Sequence, residues 1–149
     1  MKIIYENRKA YFNFEILEEF VAGIELLGPE IKSIRAGHVN LKGAYVSVVG
    51  GEAWLKGANI NRYKYDSAKT YDPFRDRKLL MKKSEIEKLA RHLGGKAATI
   101  APLAIGLQGQ WAKLKLAIVR GRKKEDKREV IKEREQKRTI SRAIRTFRR

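Results

Sequence analysis

A chain of 149 residues, 43% of them hydrophobic, can form one domain with a packed core but is too short for two domains of ordinary size. Its formal net charge of +17 attracts polyanions, either nucleic acids or acidic membrane surfaces. The sequence has no cysteine and no apolar run near the roughly 18 residues of a spanning helix. We therefore expect a cytoplasmic protein without a membrane span, a disulfide framework or a thiolate metal site.

The first clear pattern predicts a strand over residues 12–27. Phe12, Phe14 and Ile16 alternate with polar residues, and this period of two is typical of a strand with one face in water. Gly23 interrupts the pattern and predicts a bulge or a strong bend.

A short helix is predicted next. Pro29 loses no hydrogen bond at a first helical position, and Glu30 suits the positive end of the helix dipole. The segment IKSIRA continues the helix until Gly37 ends it. Two strands, AYVSVV and EAWLKGA, then flank the Gly50-Gly51 pair, which predicts a tight hairpin.

An irregular loop is predicted over residues 61–78. It mixes three tyrosines with three arginines, a composition typical of RNA-binding surfaces because cations hold phosphates and rings stack on unpaired bases. The alternative for Tyr63, Tyr65 and Tyr71 is that each packs beneath the loop. For Trp54 and Trp111, packing in the core or the barrel is the favoured interpretation.

A second helix and a last pair of strands complete the body. Ser84 and Glu87 have the spacing of a capping box, which predicts a helix that continues to about His92. Thr99–Gln108 and Trp111–Arg120 then predict two strands around Gly109. About six bent strands with inserted helices favour a small barrel. The predicted fold class is mainly β, an OB-type β-barrel with two inserted short helices and a basic C-terminal tail.

The tail is separated from the body by its charge. From Arg120 onward the chain has fourteen Lys or Arg and five Asp or Glu. We therefore divide the chain into a barrel over residues 1–119 and a tail over residues 120–149. Repulsion among so many cations, with few apolar residues to oppose it, predicts a tail that is disordered when free.

Catalytic residues are scarce. His38 and His92 fall at predicted helix ends, where a cationic or hydrogen-bonding side chain is common. Asp66, Asp72 and Asp76 could hold magnesium in a ribonuclease, but turn residues that pair with the arginines of the loop are the simpler interpretation. We predict a protein that is not an enzyme and uses no cofactor. A ribosomal protein or general RNA chaperone is the alternative among binding proteins.

Several motifs resemble one known family. GPEIKSIRAGHVNLKGAYV (Gly28–Val46) resembles the signature of the SsrA-binding protein family, also called small protein B. Three further blocks, Glu6–Ala10, Asp72–Ile86 and Lys113–Glu129, agree in order and spacing. The sequence departs from the pattern at Lys42–Tyr45, at Ile60–Tyr63, at Val21 and at Glu125. The last two matter most, because Val21 replaces a frequent acid and Glu125 stands where an aromatic residue or histidine is common.

The resemblance implies a function. Members of the family are similar in having an OB-type barrel, and they bring charged, alanyl-tRNA-like transfer-messenger RNA, with an elongation factor, to stalled bacterial ribosomes in trans-translation. The resemblance implies partners in that RNA and in small-subunit ribosomal RNA, no membrane, and a monomer. The tail is expected to enter the empty mRNA channel and to become helical there.

The resemblance also implies the residues that make these contacts. The expected contacts with transfer-messenger RNA are Asn7, Arg8, Lys9, Lys32, Arg35, Asn40, Arg75, Arg77, Lys78, Leu80 and Lys113. The expected contacts of the tail with the mRNA channel are Arg120, Gly121, Lys123, Lys124, Asp126, Lys127, Arg128, Lys132 and Arg134. Glu30 and Ser33 are expected to hold the helix end rather than RNA.

Overall fold

The computed structural model describes residues 1–67, 70–93 and 98–121, and most of this part of the chain is β-strand or helix. In chain order the elements are β1 (Lys2–Glu6), α1 (Arg8–Asn13), β2 (Phe14–Ile24), α2 (Gly28–Arg35), β3 (Val39–Asn40), β4 (Tyr45–Val49), β5 (Glu52–Lys56), β6 (Asn59–Ile60), β7 (Arg77–Leu80), α3 (Lys83–Leu93), β8 (Ala98–Gln108) and β9 (Trp111–Gly121). Among the described residues no helix is long and apolar enough to cross a membrane.

One antiparallel sheet forms most of the fold. Its strand order is β1-β8-β9-β2-β7-β5-β4, and β3 pairs with β6 in a second, two-stranded sheet. Register shifts in the long strands, between Ile16 and Glu18 and between Pro102 and Ala104, let the sheet bend. The bending brings β4 against β8, while α3 packs on both strands. The predicted mainly β class is confirmed, and within the described residues the barrel stays open between the end strands β1 and β4.

The core confirms the alternation predicted for β9. Leu114, Leu116 and Ile118 are buried inside the curved sheet, whereas Lys113 and Lys115 point to the partly exposed side. A second, smaller cluster lies on the outer face of β8 and β9. Its members are Ala10, Ala101, Leu103, Ala117 and Val119.

This outer cluster explains a wrong prediction at the start of the chain. Phe12 belongs to α1, so β2 begins only at Phe14, and the described residues contain three helices rather than two. The helix buries Ala10 against the apolar outer face of β8 and β9. A helix of only six residues has too few turns to show a period, so packing rather than local pattern decides it.

The predicted bulge at Gly23 and the predicted packing of Trp111 in the core or the barrel are wrong. The register shift of β2 lies between Ile16 and Glu18, while Gly23 lies where β2 pairs with both β7 and β9. A Cβ on Gly23 would lie 3.3 Å from the Cβ of Leu80, so this glycine serves close approach of two strands. Trp111 is 72% exposed at the end of the last hairpin instead of packed in the core.

The predicted hairpin turn and the two predicted helices are present in the structure. Gly50 and Gly51 have φ of 59° and 77°, the left-handed pair that a two-residue hairpin turn needs. Both predicted helices are confirmed as α2 and α3. The second begins one residue before Ser84, and its N-terminal carboxylate is that of Glu85, which accepts a hydrogen bond from the Lys82 N–H at 3.0 Å.

Replacing Gly106 with alanine is expected to lower the free energy of unfolding by about 1–3 kcal/mol. The new Cβ would collide with the backbone carbonyl oxygen of Lys2, where β1 pairs with β8. Gly121→Ala is the matched control, because nothing lies within 4 Å of a Cβ there. Denaturant unfolding of both variants measures the difference, and equal stabilities would contradict this packing of β1.

Candidate nucleic-acid interface

A buried ion-pair network fixes α2 to the start of β7 and to the residues just before it. Glu30 is 1% exposed, and Arg77 is completely buried. The Arg77 Nε and Nη2 atoms donate to Oε2 of Glu30 at 2.9 and 2.6 Å, and Arg77 Nη1 donates to the Ala58 carbonyl at 2.8 Å. Arg75 donates to both carboxylate oxygens, and the Leu27 N–H donates to Oε1 at 2.9 Å. Nearly every polar atom of the network therefore has a partner.

The network changes two protonation equilibria. Burial on its own raises the pKa of Glu30, but hydrogen bonds from Arg75, the Leu27 N–H and Arg77 outweigh burial, so the pKa lies below its ordinary value. Burial, followed by the nearby Glu30 carboxylate, raises the pKa of Tyr71 to about 12. The Tyr71 hydroxyl therefore keeps its proton at neutral pH, for donation to Glu30 Oε2 at 3.0 Å or to the Ile60 carbonyl at 2.9 Å.

This geometry corrects one expected RNA contact and supports two structural roles. Arg77 cannot touch RNA from inside the fold, because its guanidinium is enclosed and already bonded. The interpretation of Glu30 and Ser33 as structural residues agrees with their burial, and the Ser33 Oγ donates to the Asn61 carbonyl at 2.7 Å. Arg75 keeps 32% of its side chain exposed, although its charge faces Glu30.

Other expected contacts keep their charge available. Within the described ranges, no carboxylate forms an ion pair with the following cations: Arg8, Lys9, Lys32, Arg35 and Lys113. The contrast is Lys78, whose ammonium lies 3.2 Å from Glu52. A cation without an internal partner can neutralise a phosphate without first breaking an ion pair.

The first group of expected contacts lies around α1. Arg8 and Lys9 line a groove of about 610 Å³ together with Lys42, a cation that the sequence interpretation did not single out. Asn7 is partly used in the fold, since its side chain donates to the Pro102 carbonyl at 3.0 Å. Asn40 joins this group through Tyr5, whose hydroxyl donates to Asn40 Oδ1 at 3.0 Å.

A second group lies between β2, β7 and α3. Lys78, Leu80 and Lys113 line a groove of about 560 Å³, with Val21 and Lys82 beside them. Leu80 and Val21 are 55% and 53% exposed, so the groove has apolar surface between cations. Val21 stands where the resembled family has a frequent acid. Valine at this position leaves the groove without the negative charge that an acid would bring.

The third group is on α2. Lys32 and Arg35 are exposed on the side of the helix that faces away from the buried Ser33 and Ile34. The Lys32 ammonium lies 5.3 Å from the ring centroid of Tyr63, which brings the helix and the loop after β6 together. Tyr71, by contrast, packs beneath that loop with its hydroxyl in the Glu30 network.

The loop aspartates serve the fold. Asp72 caps a turn by accepting from the Phe74 N–H at 2.9 Å, which agrees with a turn residue, and Asp76 lies 3.8 Å from the Lys56 ammonium. The carboxylate that pairs with Arg75 and Arg77 is that of Glu30, so the predicted pairing with aspartate side chains is wrong, although Arg75 Nη1 also donates to the Asp76 backbone carbonyl at 3.2 Å. In the part of the chain that the structure describes, no three His, Cys, Asp or Glu residues are grouped to hold a metal ion.

Two residues assigned to the tail belong to the sheet. β9 extends through Arg120 and Gly121, which pair with Glu15 and Phe14 of β2. The Arg120 Nη2 donates to Oε2 of Glu15 at 2.5 Å. The body therefore continues two residues beyond the predicted boundary. The other expected tail contacts lie outside the described residues, namely Lys123, Lys124, Asp126, Lys127, Arg128, Lys132 and Arg134.

Comparisons with known proteins agree on one family. Residues 4–146 match a protein-family model described as SmpB protein. The chain is 49%, 47% and 45% identical to the SsrA-binding proteins of Gloeobacter violaceus, Synechococcus elongatus and Bacillus cereus. These alignments cover 97% of this chain and 95%, 94% and 93% of the relatives. A chain in a solved structure of tmRNA-SmpB and the bacterial ribosome is 38% identical with a TM-score of 0.67, covering 85% of this chain and 93% of that chain.

Proposed function

The chain belongs to the SmpB protein family, and from this premise we propose that it binds transfer-messenger RNA and delivers it to stalled bacterial ribosomes in trans-translation. The observation that carries the proposal is the extent of the family match, which spans residues 4–146 and so includes the body and nearly all of the basic tail. The relatives are SsrA-binding proteins, and the similar solved structure contains tmRNA-SmpB.

The body is the part that holds the RNA. Its contacts come from three places: Asn7, Arg8, Lys9 and Asn40 around α1; Lys32, Arg35 and the exposed part of Arg75 around α2; and Lys78, Leu80 and Lys113 in the groove beside β7. Five of these cations have no carboxylate partner among the described residues, which supports this assignment: Arg8, Lys9, Lys32, Arg35 and Lys113. Groups on several elements suit a folded RNA, which proteins recognise by shape through phosphates and unpaired bases.

The tail is the part that finds the stalled ribosome. Its run of cations would enter the empty, phosphate-lined mRNA channel of the small subunit and fold as a helix there. Phosphates remove the repulsion among the cations, and release of counterions from RNA favours binding. The sequence supports this proposal through fourteen Lys or Arg against five Asp or Glu from Arg120 onward.

We further propose that the protein acts by binding rather than catalysis and works in the cytoplasm, where ribosomes are. It would act as a monomer, without a cofactor, on the charged, alanyl-tRNA-like form of the RNA together with an elongation factor. The engagement of Asp72 in its turn and of Asp76 near Lys56 supports a structural role for the loop aspartates over a nuclease site.

Purification of the tagged full-length chain from its bacterial host is expected to recover transfer-messenger RNA as the most enriched RNA. Sequencing of the co-purified RNA, compared with total RNA, measures the enrichment. Sucrose-gradient sedimentation distinguishes the alternative, because a ribosomal protein would be present on every ribosome and a rescue factor is enriched on stalled ones. Uniform recovery of ribosomal RNA without transfer-messenger RNA would contradict the proposed function.

A further inference from the structure

The loop between β6 and β7 is anchored firmly at both ends. The Asn61 N–H donates to the His38 carbonyl at 3.0 Å, and the Asn61 carbonyl accepts from Ser33 Oγ at 2.7 Å. At the other end, the Ile60 N–H donates to the Pro73 carbonyl at 3.0 Å. The loop therefore begins and ends on the same rigid support, next to α2.

Two tyrosines occupy the anchored loop beside α2. Their ring centroids are 5.5 Å apart with an interplanar angle of 68°, an edge-to-face contact between Tyr63 and Tyr65. Tyr63 is partly buried, whereas Tyr65 is 73% exposed. A turn sets this arrangement, since the Asp66 N–H donates to the Tyr63 carbonyl at 3.0 Å.

Each ring also has an ammonium group over it. Lys32 Nζ lies 5.3 Å from the Tyr63 centroid, and Lys64 Nζ lies 5.5 Å from the Tyr65 centroid. The cations hold the rings in place through cation–π attraction and put positive charge beside the exposed aromatic surface. An exposed ring with one cation over it, in contact with a second ring that has its own cation, matches a nucleotide, which has a flat base and an adjacent phosphate.

We propose that Tyr65, supported by Tyr63, is a stacking site for one unpaired base of the bound RNA, with Lys32 and Lys64 beside that nucleotide's phosphates. This inference rests on the proposed function and adds to it a contact that depends on a base rather than on backbone charge. Tyr63 is the positioning residue, because its ring is in edge-to-face contact with the Tyr65 ring. Tyr65 supplies the surface on which the base stacks.

The alternative is that Tyr65 is only one of several exposed aromatic residues. Phe74 in the same loop tests that alternative, because it is 55% exposed and has no cation over its ring among the described residues. A base needs both the flat ring and nearby positive charge to bind with its phosphate. Phe74→Leu is therefore the matched control for Tyr65→Leu.

The first experiment is a titration of a labelled transcript of the tRNA-like part of transfer-messenger RNA with the full-length chain. Tyr65→Leu is expected to weaken binding by about 5- to 100-fold, the range that loss of one stacked base produces. Tyr65→Phe keeps the ring and is expected to bind like the unaltered chain, as is Phe74→Leu. Affinity unchanged in Tyr65→Leu, or reduced equally in Phe74→Leu, would overturn the assignment.

Salt dependence separates stacking from charge. The logarithm of the association constant is plotted against the logarithm of the salt concentration. The slope is expected to be the same for Tyr65→Leu as for the unaltered chain, because no phosphate contact is lost. Lys32→Ala is expected to reduce the slope by about one, the effect of one missing phosphate contact. A Tyr65→Leu slope as shallow as that of Lys32→Ala would overturn the stacking role.

Chemical probing of the RNA at saturating protein, by acylation of its ribose 2′-hydroxyls, measures the reactivity of every nucleotide. This readout does not require knowing in advance which base is stacked. One or two nucleotides are expected to change reactivity in the complex with the unaltered chain and to revert in the Tyr65→Leu complex. Identical footprints would overturn the stacking site. Failure of the unaltered chain to bind the transcript at all would instead contradict the proposed function, so the two failures are distinguishable.

Discussion

Glu30→Gln is expected to lower the free energy of unfolding by about 3–5 kcal/mol, the cost of leaving a buried charge without its partner. Arg77 is completely buried, and Glu30 is the carboxylate that balances its charge. Glutamine has nearly the same shape but no charge, so the guanidinium would remain in the interior uncompensated. Urea unfolding, monitored by circular dichroism, measures the change in the free energy of unfolding.

Glu25→Gln provides a matched control for that experiment. Glu25 is an exposed acid one residue beyond β2, and the sheet uses its backbone N–H, which donates to the Lys78 carbonyl at 2.9 Å. Its substitution is expected to change stability by no more than about 0.5 kcal/mol. A Glu30→Gln variant as stable as Glu25→Gln would show that the buried pair contributes little.

The same pair predicts how stability depends on pH. The pKa of Glu30 is lower in the folded chain than in the unfolded chain, so the unfolded chain takes up the proton first as pH falls. The contribution of Glu30 is therefore fully present above about pH 4.3, the ordinary pKa of glutamate, and is lost as pH falls through the folded pKa. The melting temperature of Glu30→Gln, measured between neutral and acid pH, is expected to fall less with decreasing pH than that of the unaltered chain.

Truncation after Gly121 is expected to abolish ribosome rescue while binding to the tRNA-like RNA is largely retained. The cut keeps β9 whole, including Arg120, whose guanidinium pairs with Glu15. Removing the residues beyond it takes away the cations proposed to enter the mRNA channel but none of the exposed cations of the body. Peptide tagging of a stalled translation product measures rescue, and an RNA titration at physiological salt measures binding.

Two controls define this result. Thermal unfolding of the truncated chain is expected to match that of the full chain, because the removed residues are mostly charged and include few apolar side chains. A full-length variant with Lys123, Lys124, Lys127 and Arg128 replaced by glutamine keeps the length of the tail and removes four of its cations. Rescue that survives in both variants, or RNA binding that is lost with the tail, would contradict the proposed division of labour.

Features that depend on neighbouring residues were predictable from the sequence. The Gly50-Gly51 hairpin, the end of α2 just before Gly37, and the alternation of β9 each depend on φ angles or periods within a few residues. The mainly β class follows from several such short strands. The excess of cations and the block Gly28–Val46 likewise indicate RNA binding and one family from the sequence alone.

The sequence did not predict β1 or α1, although one signal for α1 was present. Ala101 and Leu103 on β8, like Ala117 and Val119 on β9, are buried on the outer face of the sheet, and an apolar outer face needs a cover. Residues 8–13 provide that cover, but a segment of six residues is too short to show a helical period. Pairing of β1 with β8 joins residues about a hundred positions apart, and no local pattern contains that information.

The fold class, the local turns, the excess of positive charge and the family follow from the sequence alone. Which charged and aromatic side chains are exposed follows from tertiary packing. Arg77 and Lys32 are both cations in the sequence. In the fold, Arg77 is buried in contact with Glu30, which lies 47 residues away in the chain, whereas Lys32 is exposed on α2 beside Tyr63. The reason is physical: exposure and pairing of a charged side chain depend on groups that come together only when distant segments pack.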